Sequence, residues 1–249
     1  MANVHRERTV GFLSVLVLLI LLVGTPSAHA VPALQLDIAG GYYDTTTQTI
    51  LTSSNTFTLY ALLDPTQVSA SRSYYISAAL EPVTSSSANL GSFSFNGTSV
   101  NATSGMIYGT PPLEIFSSLQ GFDAGDLAPH GIYPTYFREF EFAFNPANTS
   151  GIYNTAETSG GLHAGSGLLY AAFTVDTTLL RSPYQLHFDL YSERVLQGDV
   201  DVKNFAPFSH DAGTNGTTRG VPEPSAALLM GIGLIGFGLW QRRRGFLSA

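Results

Sequence analysis

Apolar and polar residues alternate with a period of two along most of the chain, and this pattern predicts β-strands. Leu186, Phe188 and Leu190, for example, are separated by His187 and Asp189. In 93–97 two phenylalanines alternate with serines and run into Asn-Gly, the pair of residues that favours a tight β-hairpin turn. The predicted strands lie at 34–38, 57–63, 74–80, 93–95, 140–144, 168–175 and 186–190.

Strands of this length separated by turns indicate an antiparallel β-sandwich of seven to nine strands, with a jelly-roll-like arrangement as one form of it. The fold class is therefore predicted to be all-β. The one helical candidate inside the body is short, at 113–120 after Pro111 and Pro112. The Pro- and Gly-rich segment 105–136 is predicted to form an ordered surface loop over one end of the sandwich.

The N-terminal segment is typical of a secretory signal peptide. Arg6 and Arg8 precede an apolar run at 10–23, and Ala28 and Ala30 supply the small residues of an A-x-A cleavage site. Signal peptidase is expected to remove residues 1–30. The alternative is an uncleaved N-terminal anchor, but the run is shorter than the roughly 20 residues that span a bilayer.

The C-terminal segment has three parts in a fixed order. Pro222, Glu223 and Pro224 come first, an apolar glycine-punctuated stretch predicts a transmembrane helix at 225–241, and Arg242, Arg243 and Arg244 follow. The arginines favour a cytoplasmic end for this helix, which leaves the chain before Pro222 outside the cytoplasm. The Gly/Thr/Asn-rich residues 212–220 are predicted to be a flexible linker, so the extracellular domain is predicted at 31–211.

This tripartite segment, 221–245, resembles the PEP-CTERM sorting signal of Gram-negative bacteria. The resemblance implies that an exosortase recognises the chain in the inner membrane and cuts it near residues 222–224. The body would then be released or re-attached at the cell surface or outside the cell. The alternative is a permanent single-pass membrane anchor.

The body itself resembles the choice-of-anchor N proteins, which implies an extracellular domain found with different C-terminal anchors and implies no known reaction. The segments that carry the resemblance are LQLDIAGG at 34–41, FTLYA at 57–61, YISAAL at 75–80, GSFSFNG at 91–97, GIYPTYF at 131–137, HFDLY at 187–191 and FAPFSHD at 205–211.

Charge and composition exclude several classes of function. Between residues 31 and 221 there are sixteen acidic and six basic residues, so this body repels nucleic acid. The sequence contains no cysteine, which rules out disulfides, thiolate catalysis and zinc–thiolate sites. None of the common catalytic motifs occurs, so we expect a non-catalytic protein.

The best candidate for a ligand site is the loop that contains Asp123, Asp126 and His130, because carboxylates in a loop can bind calcium. The alternative is that Asp and Gly only form turns there. Asp199 and Asp201 begin like a calcium loop, but the glycine that an EF-hand requires is absent.

Three other sets of polar residues are interpreted as solvent-facing. His187 and Asp189 share one face of a predicted strand, with Glu193 further along, and His210-Asp211 closes the body; the alternative for such a dyad is acid–base chemistry. Glu139 and Glu141 alternate with phenylalanines, as expected for the outer face of a strand. The leading hypothesis is an adhesive or exopolysaccharide-matrix protein. The alternatives are a carbohydrate-binding module, using loop tyrosines and calcium, and a secreted hydrolase with two converging carboxylates.

Overall fold

The computed structural model describes residues 30–113, 125–128, 130–196 and 199–214, and these residues form an all-β protein. Fourteen strands and one 3₁₀ helix occur in the described part of the chain. In chain order the strands are β1 Leu34–Ile38, β2 Tyr42–Asp44, β3 Thr49–Thr52, β4 Thr56–Leu63, β5 Tyr74–Glu81, β6 Ser92–Phe95, β7 Thr98–Asn101, β8 Ile107–Gly109, β9 Thr135–Phe142, β10 Thr149–Gly151, β11 Gly167–Asp176, β12 Gln185–Leu196, β13 Asp199–Phe205 and β14 Asp211–Thr214. The 3₁₀ helix is Phe208–His210.

The strands form two sheets. The first has the order β1-β4-β11-β6-β7, with β10 also paired to β11. The second has the order β2-β3-β14-β12-β5-β9-β8, with β13 also paired to β12. Every described strand pair is antiparallel except β3 with β14, which is parallel.

The prediction of an all-β fold with antiparallel strands is confirmed, and all seven predicted strands are present. The predicted total of seven to nine was too low, because six further strands have only three or four residues and because Asp199 and Asp201, which begin the seven-residue β13, were compared with a calcium loop instead. The 140–144 strand was also misplaced, since β9 begins at Thr135 and ends at Phe142.

One hydrophobic core lies between the two sheets. The apolar side chains of β4 and β11 in the first sheet pack in the same cluster as those of β5 and β12 in the second. Phe57 meets Phe188 edge to face with ring centroids 6.2 Å apart, and Phe95 stacks on Phe140 at 4.0 Å. The two sheets therefore form a sandwich, each with its apolar face turned inward.

The hairpin predicted at Asn96-Gly97 is confirmed. Asn96 and Gly97 have φ angles of 48° and 80° and connect β6 to β7. Positive φ at both central positions is the requirement of the type I′ turn, which asparagine and glycine meet at low cost.

The predicted boundary between body and linker was wrong. Residues 212–214 were placed in the linker, yet they belong to β14, which is buried and pairs with β3 on one side and β12 on the other. Small residues are needed here: a Cβ added to Gly213 would lie 3.3 Å from the side chain of Leu51. Glycine and threonine therefore indicate close packing at this position, although their composition resembles that of a linker.

The two sorting segments lie outside the described residues. The signal peptide at 1–30 does so except for Ala30, as do the linker from 215 and the segment 221–245, including the predicted helix 225–241. The helical candidate 113–120 also lies outside them apart from Leu113. A search of the described residues finds no helix with the length and apolar character needed to cross a membrane.

A loop covers the outer face of β1 and is held there by two buried polar side chains. The carboxylate of Asp37 accepts hydrogen bonds from the backbone N–H groups of Gly160 and Gly161 and from the hydroxyl of Tyr153. Gln35 binds the backbone of Tyr153 and Thr155. These bonds satisfy polar groups that the covering loop removes from water.

Candidate functional site: a buried His/Asp cluster

Strand β12 is buried on both faces over residues 186–192. Leu186, Phe188 and Leu190 point into the core, whereas His187 and Asp189 point away from it. The sequence predicted a solvent-facing position for His187 and Asp189, and this was wrong because each is only 2% exposed.

A covering segment explains the burial of these two side chains. Ile132 packs against Ala79 of β5 and Phe137 of β9 on the outer side of the second sheet, and Tyr133 packs with them. The sequence predicted that this region would lie over one end of the sandwich. In the described part it instead covers a sheet face. Alternate residues of β12 therefore lie either in the hydrophobic core or in a buried polar layer beneath this segment.

Two more titratable residues join His187 and Asp189 under this cover. Phe188 pairs with Ala212, and the same register places Asp211 of β14 across from Asp189. His130 comes from the covering segment itself. A single cluster therefore contains His130, His187, Asp189 and Asp211, whose ligand atoms all lie within 4.8 Å of one another.

The contacts inside the cluster are short and involve the same few atoms. Nε2 of His130 lies 3.0 Å from Oδ1 of Asp189 and 3.3 Å from Nε2 of His187. Nε2 of His187 lies 3.3 Å from Oδ1 of Asp189 and 3.6 Å from Oδ2 of Asp211. The distance from Nε2 of His130 to Oδ2 of Asp211 is 4.0 Å.

Neighbouring groups orient the cluster from outside. The hydroxyl of Tyr133 donates a hydrogen bond of 2.5 Å to Oδ2 of Asp189 and lies 2.8 Å from the hydroxyl of Ser77. Nδ1 of His130 lies 3.0 Å from the carbonyl oxygen of Ala128, and its ring stacks on Phe208 with centroids 4.1 Å apart. Both Nε2 of His130 and Oδ1 of Asp189 are thereby directed toward the centre.

Burial and charge pairing move the pKa values of the cluster in opposite directions. Burial disfavours a charged imidazole, but Asp189 and Asp211 outweigh it and raise the pKa of His187 to about 10. Burial likewise opposes an ionised Asp189, yet His187 and His130 hold its pKa well below the usual range. For Asp211 burial dominates and Asp189 adds to it, so its pKa rises to about 7.

Some polar atoms of the cluster have no hydrogen-bond partner in the described part of the chain. They are both carboxylate oxygens of Asp211 and Nδ1 of His187, and all three are buried. A buried polar atom without a partner is unfavourable and requires an explanation. Two imidazoles and two carboxylates with converging atoms have the composition of a divalent metal site.

The calcium site predicted at Asp123 and Asp126 stays a prediction. Asp123 lies outside the described residues, and Oδ2 of Asp126 accepts a hydrogen bond of 3.2 Å from the backbone N–H of Val202. Asp126 is not one of the four residues of the His/Asp cluster, but His130 from the same loop is. Asp201, of the pair that begins like a calcium loop but lacks the required glycine, forms an ion pair with Arg194.

The other sequence candidates are placed apart from the cluster. Glu139 is half-buried and accepts hydrogen bonds from the hydroxyl of Tyr191 and the backbone N–H of Leu113, while Glu141 is exposed. Burial raises the pKa of Glu139. His210 points to Asn154, with 2.8 Å between Nε2 and Oδ1.

A polar cleft lies at one end of the sandwich, apart from the His/Asp cluster. Its volume is about 560 Å³, and it lies among the β3–β4 turn, the β11–β12 loop and the end of β14. Hydroxyl and amide side chains dominate its lining, with one aromatic ring. The lining includes Ser54, Asn55, Thr177, Tyr184 and Gln185.

Comparison with known families identifies the C-terminal segment. Residues 220–244 match the family model of the PEP-CTERM protein-sorting motif, which bears out the predicted sorting signal. The chain is therefore of the exported, membrane-transiting class that exosortase processes. No curated protein and no solved structure matches the chain.

Proposed function

We propose that this chain is a non-catalytic surface protein of a Gram-negative bacterium. Signal peptidase removes residues 1–30, the segment 225–241 holds the chain in the inner membrane, and exosortase cuts near Pro222, Glu223 and Pro224. The β-sandwich is then displayed at the cell surface or outside the cell, where it acts in adhesion or in the exopolysaccharide matrix. The observation that carries the proposal is the sorting motif at 220–244, which follows an all-β body whose last described strand ends at Thr214.

The mass of the intact protein, recovered from membrane, surface and medium, tests the sorting pathway. In the host strain we expect a product that begins at Val31 and ends near residues 222–224. In a strain without exosortase we expect accumulation of a form that retains Arg242, Arg243 and Arg244. Glu223→Ala in the host should give the same accumulation, because it alters the motif that the enzyme would recognise.

Thr217→Ala is the matched control, because it lies in the same stretch of chain but before the matched residues 220–244. It should be processed like the unaltered protein. If both strains contain only chains with the three terminal arginines, the C-terminal segment is a permanent anchor and processing by exosortase is contradicted.

A carbohydrate-binding role is the second candidate, and the polar cleft at the end of the sandwich favours it. Hydroxyl and amide groups such as those of Ser54, Asn55 and Gln185 are the donors and acceptors that bind sugar hydroxyls, and Tyr184 supplies an aromatic surface. A matrix protein with such a cleft would bind the polysaccharide directly.

Binding to the host's purified exopolysaccharide tests this second candidate. It is measured as retardation of the protein in a gel that contains the polysaccharide. Asn55→Ala should weaken binding about fivefold, the equivalent of one hydrogen bond of about 1 kcal/mol. Asn101→Ala is the control because Asn101 is an exposed asparagine on β7 that does not line the cleft. Equal retardation of the two variants and the unaltered protein would contradict binding in the cleft.

A further inference from the structure

We infer that His130, His187, Asp189 and Asp211 form a structural binding site for a divalent transition-metal ion of the zinc class. Ligand separation is the first argument. A tetrahedral zinc ion with nitrogen and oxygen ligands at about 2.0–2.1 Å has its ligand atoms about 3.3 Å apart. The five separations given above run from 3.0 to 4.0 Å and all the ligand atoms lie within 4.8 Å of one another, so small side-chain movements produce that geometry.

The type of ligand selects the metal. Imidazole nitrogen combined with carboxylate oxygen suits zinc and its neighbours in the first transition series. Calcium requires six to eight oxygen ligands and does not favour imidazole. When the histidines give up their protons to bind the metal, the two imidazoles and two carboxylates carry a charge of −2, which a divalent cation neutralises inside a largely buried site.

The polar atoms without partners point to the same ligand. Asp211 is 1% exposed, and neither of its carboxylate oxygens has a hydrogen-bond partner in the described residues, although one of them belongs to the converging set. Asp211 also lies across the sheet from Asp189, a pairing of like charges that destabilises adjacent strands. The nearest opposite charge, Nε2 of His187, lies 3.6 Å from Oδ2 of Asp211 and is too far for a hydrogen bond, so a bound cation would give Asp211 a direct partner and reduce the repulsion.

The groups around the cluster are arranged as in known metal sites. A metal-binding histidine usually donates its second ring N–H to a carbonyl oxygen or carboxylate, which fixes the ring and its tautomer. Nδ1 of His130 has this partner in the carbonyl oxygen of Ala128, and Tyr133 holds the outer oxygen of Asp189. Four protein ligands that are all largely buried leave no open position for a substrate, so the site is structural.

Metal binding by the purified full-length chain tests the inference. After treatment with a chelator and dialysis against Zn²⁺, elemental analysis should find one zinc ion per chain. Co²⁺ should give the strong visible absorption of tetrahedral coordination, and Zn²⁺ should raise the midpoint of thermal unfolding. An absence of both zinc and the cobalt spectrum in the folded protein would overturn the inference.

Asp211→Asn distinguishes this site from adventitious binding. It keeps the shape of the side chain but removes a ligand, so zinc affinity should fall at least about 100-fold, beyond the usual effect of changing an outer-shell partner. Without metal this variant should keep the fold with a stability close to that of the unaltered protein, because it removes the repulsion between Asp211 and Asp189 together with the attraction of Asp211 to His187 at 3.6 Å. Unchanged zinc binding by Asp211→Asn would place the metal elsewhere and overturn the inference.

Glu139→Gln is the matched control. Glu139 is a half-buried carboxylate on the same sheet, hydrogen-bonded to Tyr191 and outside the four proposed ligands. This variant should bind one zinc ion and retain the cobalt spectrum. Loss of both signals in Glu139→Gln would overturn the assignment of the four ligands.

Discussion

Replacing Asp189 by alanine is expected to lower the free energy of unfolding by about 3–5 kcal/mol, even in the presence of a chelator. Asp189 is the main partner of the two histidines, and its other oxygen accepts the hydrogen bond of Tyr133. Its removal leaves buried imidazoles without their principal counter-charge and a buried hydroxyl without its acceptor. Urea-induced unfolding, monitored by the far-ultraviolet circular dichroism of the backbone, measures the loss.

Asp201→Ala is the control for this prediction. Asp201 also pairs with a basic residue, at 2.8 Å from Nε of Arg194, but the Arg194 side chain is 49% exposed. An ion pair with that much solvent contact contributes about 0–1 kcal/mol. Similar losses in Asp189→Ala and Asp201→Ala would contradict the view that the His/Asp cluster stabilises the second sheet.

The alternation of apolar and polar residues was sufficient to predict the main strands. It identifies a strand when one face is apolar and the other polar, as in β4, β6 and β12. It does not identify strands such as β3 and β14, whose residues are buried on both faces and mostly small or hydroxylated. Those strands are recognisable only from their neighbours in the sheet, and the same limitation placed the predicted linker too early.

The residues of the cluster were identified as candidates from the sequence, but their proximity in the fold was not predicted. His187 and Asp189 share a face through their spacing, and His210-Asp211 and His130 were separate candidates. Asp211 reaches Asp189 only through the pairing of β12 with β14, and His130 through a loop that was predicted but whose position on the sheet face no local pattern reveals. Polar residues on alternate positions normally face water. Here the prediction failed because the polar face of the strand is covered as well.

The sorting signal, unlike the His/Asp cluster, was predictable because it does not depend on residues that are distant in the sequence. It is a contiguous segment with proline and glutamate, then apolar residues, then arginine, and it can be identified without knowledge of the fold. The identity of the body depends on three-dimensional contacts, and for this part no curated protein matches. The sequence therefore predicts export of the protein from a linear motif, whereas the function of the β-sandwich has to be inferred from its structure.

Phe188→Ala is expected to lower the free energy of unfolding by about 3–5 kcal/mol through loss of packing and creation of a cavity. Phe188 is fully buried between the sheets and packs edge to face against Phe57, with the ring centroids 6.2 Å apart. Phe205→Ala, on β13 of the same sheet, is the control, because Phe205 is 44% exposed and its truncation should cost well under half as much. Thermal and urea unfolding of both variants measure the difference.

Phe188 and Asp189 are consecutive residues on opposite faces of one strand, so the two predictions together test the architecture of the second sheet. A sandwich with one buried face would lose stability in Phe188→Ala and tolerate Asp189→Ala. A sheet covered on both faces should lose several kcal/mol in either variant, for different physical reasons. Added zinc should distinguish these reasons, because it should still raise the unfolding midpoint of Phe188→Ala, whose metal ligands are intact, but not that of Asp189→Ala.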